Sequence, residues 1–253
     1  APTIPALDPK KGMDVITYTG NGGTQNIGGA LFEPGLVWIK NRNGGHNHML
    51  YDSVRGTGLD LMPNGTQSEN QGGSNDLTSF NPDGFTLGSN NAVNQSTKTY
   101  VAWNWRAGGP AVANSDGTIT SQVSANTDYG FSIVTWTNPS SGSGAFTVGH
   151  GLGAAPSLIF IKARSNTSNW NTFHSSASTD TSKYLNLNTT DGTQTYSGLW
   201  GSALPTSSVF GLGNNFRDGY TMVAYCWSEV SGYSKFGSYT GDGTSTKKIT
   251  TGF

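Results

Sequence analysis

Residues Leu36 to Arg42 read LVWIKNR, and 122 positions later Leu158 to Arg164 read LIFIKAR. The same displacement separates YVAWNW (Tyr100 to Trp105) from MVAYCW (Met222 to Trp227). FTLGS (Phe85 to Ser89) answers FGLGN (Phe210 to Asn214), and VITYTG (Val15 to Gly20) answers IVTWTN (Ile133 to Asn138). All four matches keep one order, with offsets from 118 to 125. Self-similarity at a nearly fixed period means that one structural plan is used more than once. The chain therefore reads as two tandem copies, 12–108 and 130–231, after an N-terminal extension, 1–11. Residues 109–129 read as a linker with one strand over Thr118 to Val123. Residues 232–253 restart the pattern, since YTGDG (Tyr239 to Gly243) answers YTGNG (Tyr18 to Gly22). A lone first strand exposes unpaired backbone groups. Residues 236–253 are thus expected to pair with a preceding domain or a neighbouring subunit, or the chain is expected to continue past Phe253.

Each copy reads as all β. Runs of five to seven residues rich in Val, Ile, Thr, Tyr and Trp are separated by Asn21-Gly22, Asp83-Gly84, Asp116-Gly117, Asp191-Gly192 and Asp242-Gly243. Such dipeptides suit tight hairpins, and no stretch of ten residues keeps a helical period. Side chains alternate along a strand, so Val101, Trp103 and Trp105 share one face and Tyr100, Ala102 and Asn104 the other. In the second copy both faces are mostly apolar, which suits the middle of a layered stack. The expected fold is two tandem antiparallel β-sandwiches of jelly-roll or concanavalin-like type, followed by the first strand or hairpin of a third unit.

Only 11% of the residues are charged, against roughly 25% in typical soluble domains. The surface must therefore be neutral and rich in hydroxyls and amides. A net charge of -1, with no basic stripe, argues against a nucleic-acid partner. No run reaches the roughly 18 apolar residues of a membrane helix, so no membrane partner is expected. Cys226 is the only cysteine, which excludes an intrachain disulfide.

The two copies serve as each other's control. Lys40 with Arg42 recurs as Lys162 with Arg164, the one polar pair kept in both. The pair could grip an acidic ligand, or it could end a strand whose long side chains pack over the sheet and reach water, the commoner use. His46 and His48 share a strand face but lack a Cys, Asp or Glu at ligand spacing, and His150 suits a turn; no metal or cofactor is expected. Glu33, Glu69 and Glu229 show no partner, and Asp52 with Arg55 reads as a local ion pair. No Gly-x-Ser-x-Gly elbow or phosphate loop occurs, and Cys226 falls inside a strand expected to be buried. No catalytic residue is expected. Binding through aromatics remains. The strand tryptophans Trp38, Trp103, Trp105 and Trp227 are expected in the core, whereas Trp170, Tyr196 and Trp200 lie in loops and are the candidates for stacking on sugar rings.

Taken together, YTGNG, LVWIKNR, MLYDSVRG, LTSFNPDGFTLGS, VGHGLGAAPSLIFIK and VAYCWSEVSGYSKFGSYTGDG resemble an uncharacterised repeat family of marine phages. Its members are described as virion structural or tail-fibre proteins. The resemblance runs from about Val15 to Phe253. It implies a non-enzymatic protein of the virion surface, an appendage or capsid-surface component, with other virion proteins, further copies of itself and host-surface glycans as partners. It matches no catalytic or binding residue. A secreted bacterial carbohydrate-binding module or adhesin is the alternative reading of the same composition.

Overall fold

The computed structural model describes residues 7–216 and 218–252. The first six residues of the expected extension and Phe253 lie outside them. The fold is nearly all β, as the sequence leads one to expect. The first half contains β1 (Met13–Thr19), β2 (Gln25–Gly28), β3 (Leu36–Asn41), β4 (Met49–Asp52), β5 (Leu59–Asp60), β6 (Asn70–Gln71), β7 (Leu77–Asn81), β8 (Gly84–Leu87) and β9 (Thr99–Trp105). They form a large sheet ordered β1-β9-β3-β4, a smaller one ordered β2-β8-β7 and the ribbon β5-β6. A single helical turn, Asn91–Asn94, is capped by the Asn90 side chain, which accepts from the Ala92 amide at 2.9 Å.

The second half contains β10 (Val112–Asn114), β11 (Ser121–Asn126), β12 (Phe131–Thr137), β13 (Phe146–Gly149), β14 (Leu158–Ala163), β15 (Asn171–His174), β16 (Lys183–Asn186), β17 (Gln194–Thr195), β18 (Val209–Leu212) and β19 (Thr221–Trp227). Its large sheet is ordered β10-β11-β12-β19-β14-β15-β16-β17, and β13 pairs with β18. The four strands β12-β19-β14-β15 repeat the order β1-β9-β3-β4. The register repeats too: Trp105 sits opposite Met13 and Leu36, and Trp227 sits opposite Phe131 and Leu158.

Both faces of each large sheet are used. One face packs on the half's own small sheet: Val37, Ile39, Tyr51, Tyr100 and Ala102 meet Ile27, Phe85 and Leu87 in the first half. In the second, Val134, Trp136, Ile159 and Ala224 meet Val148, Phe210 and Leu212. The other faces meet each other, burying Leu36 and Leu50 against Phe131, Ile133, Val223 and Tyr225. That is why the repeated strands are apolar on both sides. Each fully buried Leu, Ile or Phe along this seam contributes roughly 1.5–3 kcal/mol.

Two expectations change. Residues 109–129 do more than link, because β10 and β11 form a hairpin that extends the second large sheet beyond β12. Its main strand begins at Ser121 because Thr118 and Ile119 are held elsewhere: Thr118 and Thr147 exchange hydrogen bonds, and Ile119 bridges Val148 in parallel. Among the described residues, 237–252 form no strand pairing with either half. They are exposed and form no strand; this glycine-containing stretch closes on itself where Asp242 accepts from Thr244. The residues just before it are anchored, through a bridge between Val230 and Ser234 and the amide of Phe236 on Glu229.

Candidate functional site

The seam between the large sheets brings together several of the residues singled out in the sequence. Asp52 ends β4 and Arg55 follows in the turn, where Asp52 also accepts from the amides of Val54 and Arg55. The two side chains form the expected ion pair, with neither exposed. The pair extends further. Tyr225 Oη, from β19, donates to Asp52 Oδ2 at 2.6 Å, and Arg55 Nη1 donates to Glu69 Oε2 at 2.8 Å. Glu69 also takes two hydrogen bonds from Arg164, both 2.9 Å. Burial alone would raise the Glu69 carboxyl, but Arg164 and Arg55 hold it below its usual range. Burial works against the Arg55 charge, yet Asp52 and its neighbours keep the guanidinium firmly protonated. Glu69, expected to be alone, is thus the link by which each half supplies an arginine to one carboxylate. In the sequence it appears only as an acid without a counterpart in the other copy. Glu229 also has a partner, Lys235 at 2.6 Å.

The repeated basic pair separates into unlike roles. Both lysines fasten the loop that follows their strand: Lys40 Nζ donates to His46 O at 2.7 Å, while Lys162 Nζ donates to the carbonyls of Ala163 and Asn166 and to Ser168 Oγ. Lys162 is fully buried, and burial lowers its ammonium to about 8. Arg164 binds Glu69 across the seam, whereas Arg42 is exposed. The two pairs do not converge on a common surface.

Among the aromatics, the structure differs from the expected exposure at Trp170 and Trp200 and in part at the strand tryptophans, while Tyr196 is exposed as expected. Trp170 and Trp200 are fully buried. Trp170 donates its indole N–H to Met62 O at 3.0 Å, across the seam, and Trp200 donates to Lys183 O at 2.8 Å inside the second half. Both loops fold inward because an indole combines a large apolar area with one donor that a backbone carbonyl can satisfy. Tyr196 is exposed, at 50%. Conversely, Trp38, Trp103 and Trp105 are only partly buried, and Trp227 is 8% exposed. Between the facing sheets lies a groove of about 470 Å3. Trp38 and Trp105 line it from the first half, Leu158, Phe160 and Trp227 from the second, and Tyr233 and Phe236 close its rim. Its rings meet across the seam: Trp105 and Trp227 at 5.9 Å and 70°, Trp38 and Phe160 at 6.5 Å and 75°. These are equivalent positions of the two copies, brought together because one surface faces its own repeat. Among the described residues the indole N–H groups of Trp105 and Trp227 make no hydrogen bond. A larger polar cleft, about 820 Å3, lies beside Glu33, Arg106 and Asp128.

The histidines are occupied. His48 accepts from the Trp38 indole at 2.8 Å, His46 meets Gln95, and buried His150 lies between Thr206 O and the Leu152 amide. Burial lowers the charged forms of His48, which also faces Lys40, and of His150. Cys226 is buried, and that burial pushes its thiol up, away from a reactive thiolate. Among the described residues no three His, Cys, Asp or Glu side chains cluster as metal ligands.

A family profile described as Domain of unknown function (DUF7483) matches residues 8–253. No curated protein matches the chain, and no solved structure does.

Proposed function

The chain belongs to the DUF7483 family, and we propose that it is a non-enzymatic protein of a phage virion, a tail-fibre, appendage or capsid-surface component, whose aromatic groove contacts host-surface glycans. In this reading residues 12–108 and 130–231 are successive sandwich repeats. The virion assignment rests on the motifs shared with the marine phage repeat family. The observation that supports glycan contact is the groove of Trp38, Trp105, Phe160 and Trp227. Ring faces suit the C–H faces of sugars, and unpaired indole donors suit hydroxyls. The exposed residues 237–252, with Tyr239 70% and Ile249 49% exposed, are the segment proposed to pair with a neighbouring copy.

Labelled antibodies against the chain should decorate intact particles in electron micrographs, and the purified chain should retain glycans of the host envelope. Replacing Trp105 or Trp38 by Ala should weaken retention about tenfold while circular dichroism stays unchanged. Glycan binding by a monomer found on no particle would favour the secreted module instead. Equal retention by both variants would remove the groove from the reading, and depolymerisation of host polysaccharide would overturn the non-enzymatic assignment.

A further inference from the structure

Beneath the β5-β6 ribbon of the first half, two carboxyls lie side by side. Asp60 is 1% exposed and Asp76 is fully buried. Asn70 donates to Asp60 Oδ2 at 2.8 Å, and Asn90 donates to Asp76 Oδ1. Among the described residues, Asp76 Oδ2 and the hydroxyl of Tyr51, which is fully buried beside both acids, approach one another without completing a hydrogen bond of ordinary geometry. The nearest cation, Arg55, is committed to Asp52 and Glu69. The loop backbone closes directly over the carboxylate: a Cβ on Gly72 would stand 1.6 Å from Asp76 Oδ2.

The second half shows what this place looks like without acids. Leu61 bridges Leu50 as Leu185 pairs with Thr172, which sets Asp60 against Tyr184. The Gly88 amide donates to Asp76 O as the Gly213 amide donates to Leu199 O, which sets Asp76 against Leu199. Tyr51, opposite Val37, matches Phe173, opposite Ile159. Phe173 and Leu199 belong to an apolar core on which Tyr184 packs. The strand plan therefore tolerates an apolar trio here, and the first half carries two acids and a hydroxyl instead.

Two buried, adjacent carboxylates repel one another and need a proton or a cation between them. The side-chain oxygens here come from two carboxylates and a phenol beside a glycine-containing loop, without His or Cys, while the amides of Asn70 and Asn90 turn their nitrogens to the acids. That set suits a hard cation, which completes its shell with carbonyls and waters, and not a soft one. We propose that Asp60 and Asp76, with Tyr51 and the 70–76 loop around them, form a binding site for a divalent cation of the calcium class. Such an ion would clamp the β5-β6 ribbon. Glu69, next to Asn70 in that ribbon, grips Arg164 of the other half, so the ion would also stiffen the seam.

The full chain, stripped with chelator, should melt several degrees higher when CaCl2 is added at millimolar concentration, as for any ligand that binds only the folded state. Tb3+ should give luminescence excited through tyrosine, displaced by Ca2+. Asp60→Asn, nearly isosteric, and Asp76→Leu, which installs the residue of the second half, should each abolish both responses. Asp116→Asn, at an exposed turn, should leave them intact. The shared-proton alternative has its own signature. Burial raises Asp60 to about 6, so without a cation the folded state holds a proton the unfolded chain has lost, and stability falls as pH rises from about 4 to about 6. A melting temperature that follows pH in this window and ignores both Ca2+ and chelator would overturn the site, as would Tb3+ luminescence unchanged in Asp60→Asn.

Discussion

At three matched positions of the large sheets the first half places tyrosines and the second places residues with no hydroxyl. Tyr18, Tyr51 and Tyr100 of the first occupy the positions of Trp136, Phe173 and Met222 in the second. Tyr18 Oη donates to Val93 O at 2.7 Å and Tyr100 Oη to Asn91 O at 2.8 Å, so two strands are pinned to the single helical turn above them. The second half fills its interior with Trp136, Trp200, Phe146, Phe173 and Phe210, and its ties run through indoles, Trp136 to Asn138 Oδ1 at 2.7 Å and Trp200 to Lys183 O at 2.8 Å. One strand order thus accommodates two interiors, one pinned through phenols to a helical turn and one filled mainly by ring volume. The second is the more vulnerable to truncation.

Trp200→Ala should therefore have the largest effect. It removes a fully buried indole and leaves Lys183 O without its donor, for a loss of about 3–5 kcal/mol in chemical unfolding. Tyr100→Phe, its counterpart in kind, keeps the ring and loses two hydrogen bonds, to Asn91 O and from the Gln95 amide, which costs about 1–2 kcal/mol. Losses of equal size would break the contrast between the two interiors.

The strand plan was legible in the sequence because the repeat displayed it twice: side-chain alternation in YVAWNW and the match of LVWIK with LIFIK placed both sheet centres and their two apolar faces. Exposure of individual aromatics was not legible. Whether Trp105 lies under a sheet or beside a groove depends on how far two facing sheets overlap, and no strand pattern encodes that overlap. Trp170 is buried at the seam, where Met62 of the other half accepts from its indole and Tyr225 stacks on it. Glu69 is a similar case: its partners stand 14 and 95 positions away, and an isolated acid has no local pattern that announces an arginine across a seam.

Glu69→Gln comes next in size and tests the link between the halves. It keeps the shape but removes the charge that two arginines share, at a cost of about 1.5–3 kcal/mol. The wild type should also lose this contribution in acid. The Glu69 carboxyl is held below its usual range in the folded chain, so the stabilisation is complete above the unfolded value near 4.5 and disappears as pH falls through the folded one. Urea titrations at pH 7 and pH 3 should show wild type and Glu69→Gln converging at the lower pH. A gap of constant size would mean that Glu69 acts by shape and not by charge.

The smallest effect separates the two lysines that the repeat makes look alike. Lys162→Met and Lys40→Met both unfasten a loop, each at the order of 1 kcal/mol, but only Lys162 is fully enclosed. Its ammonium is lowered to about 8 from an ordinary value near 10.4, so between these limits the unfolded chain binds a proton that the folded chain has released. Stability from this group then rises with pH across the interval. Subtracting the stability of Lys162→Met from that of the wild type removes the contribution of the tyrosines, which titrate alike in both. That difference should grow between pH 8 and pH 10 in urea unfolding. A difference that stays level would show that the Lys162 ammonium is stabilised by its three acceptors as fully as water would stabilise it, and that its enclosure has no electrostatic consequence.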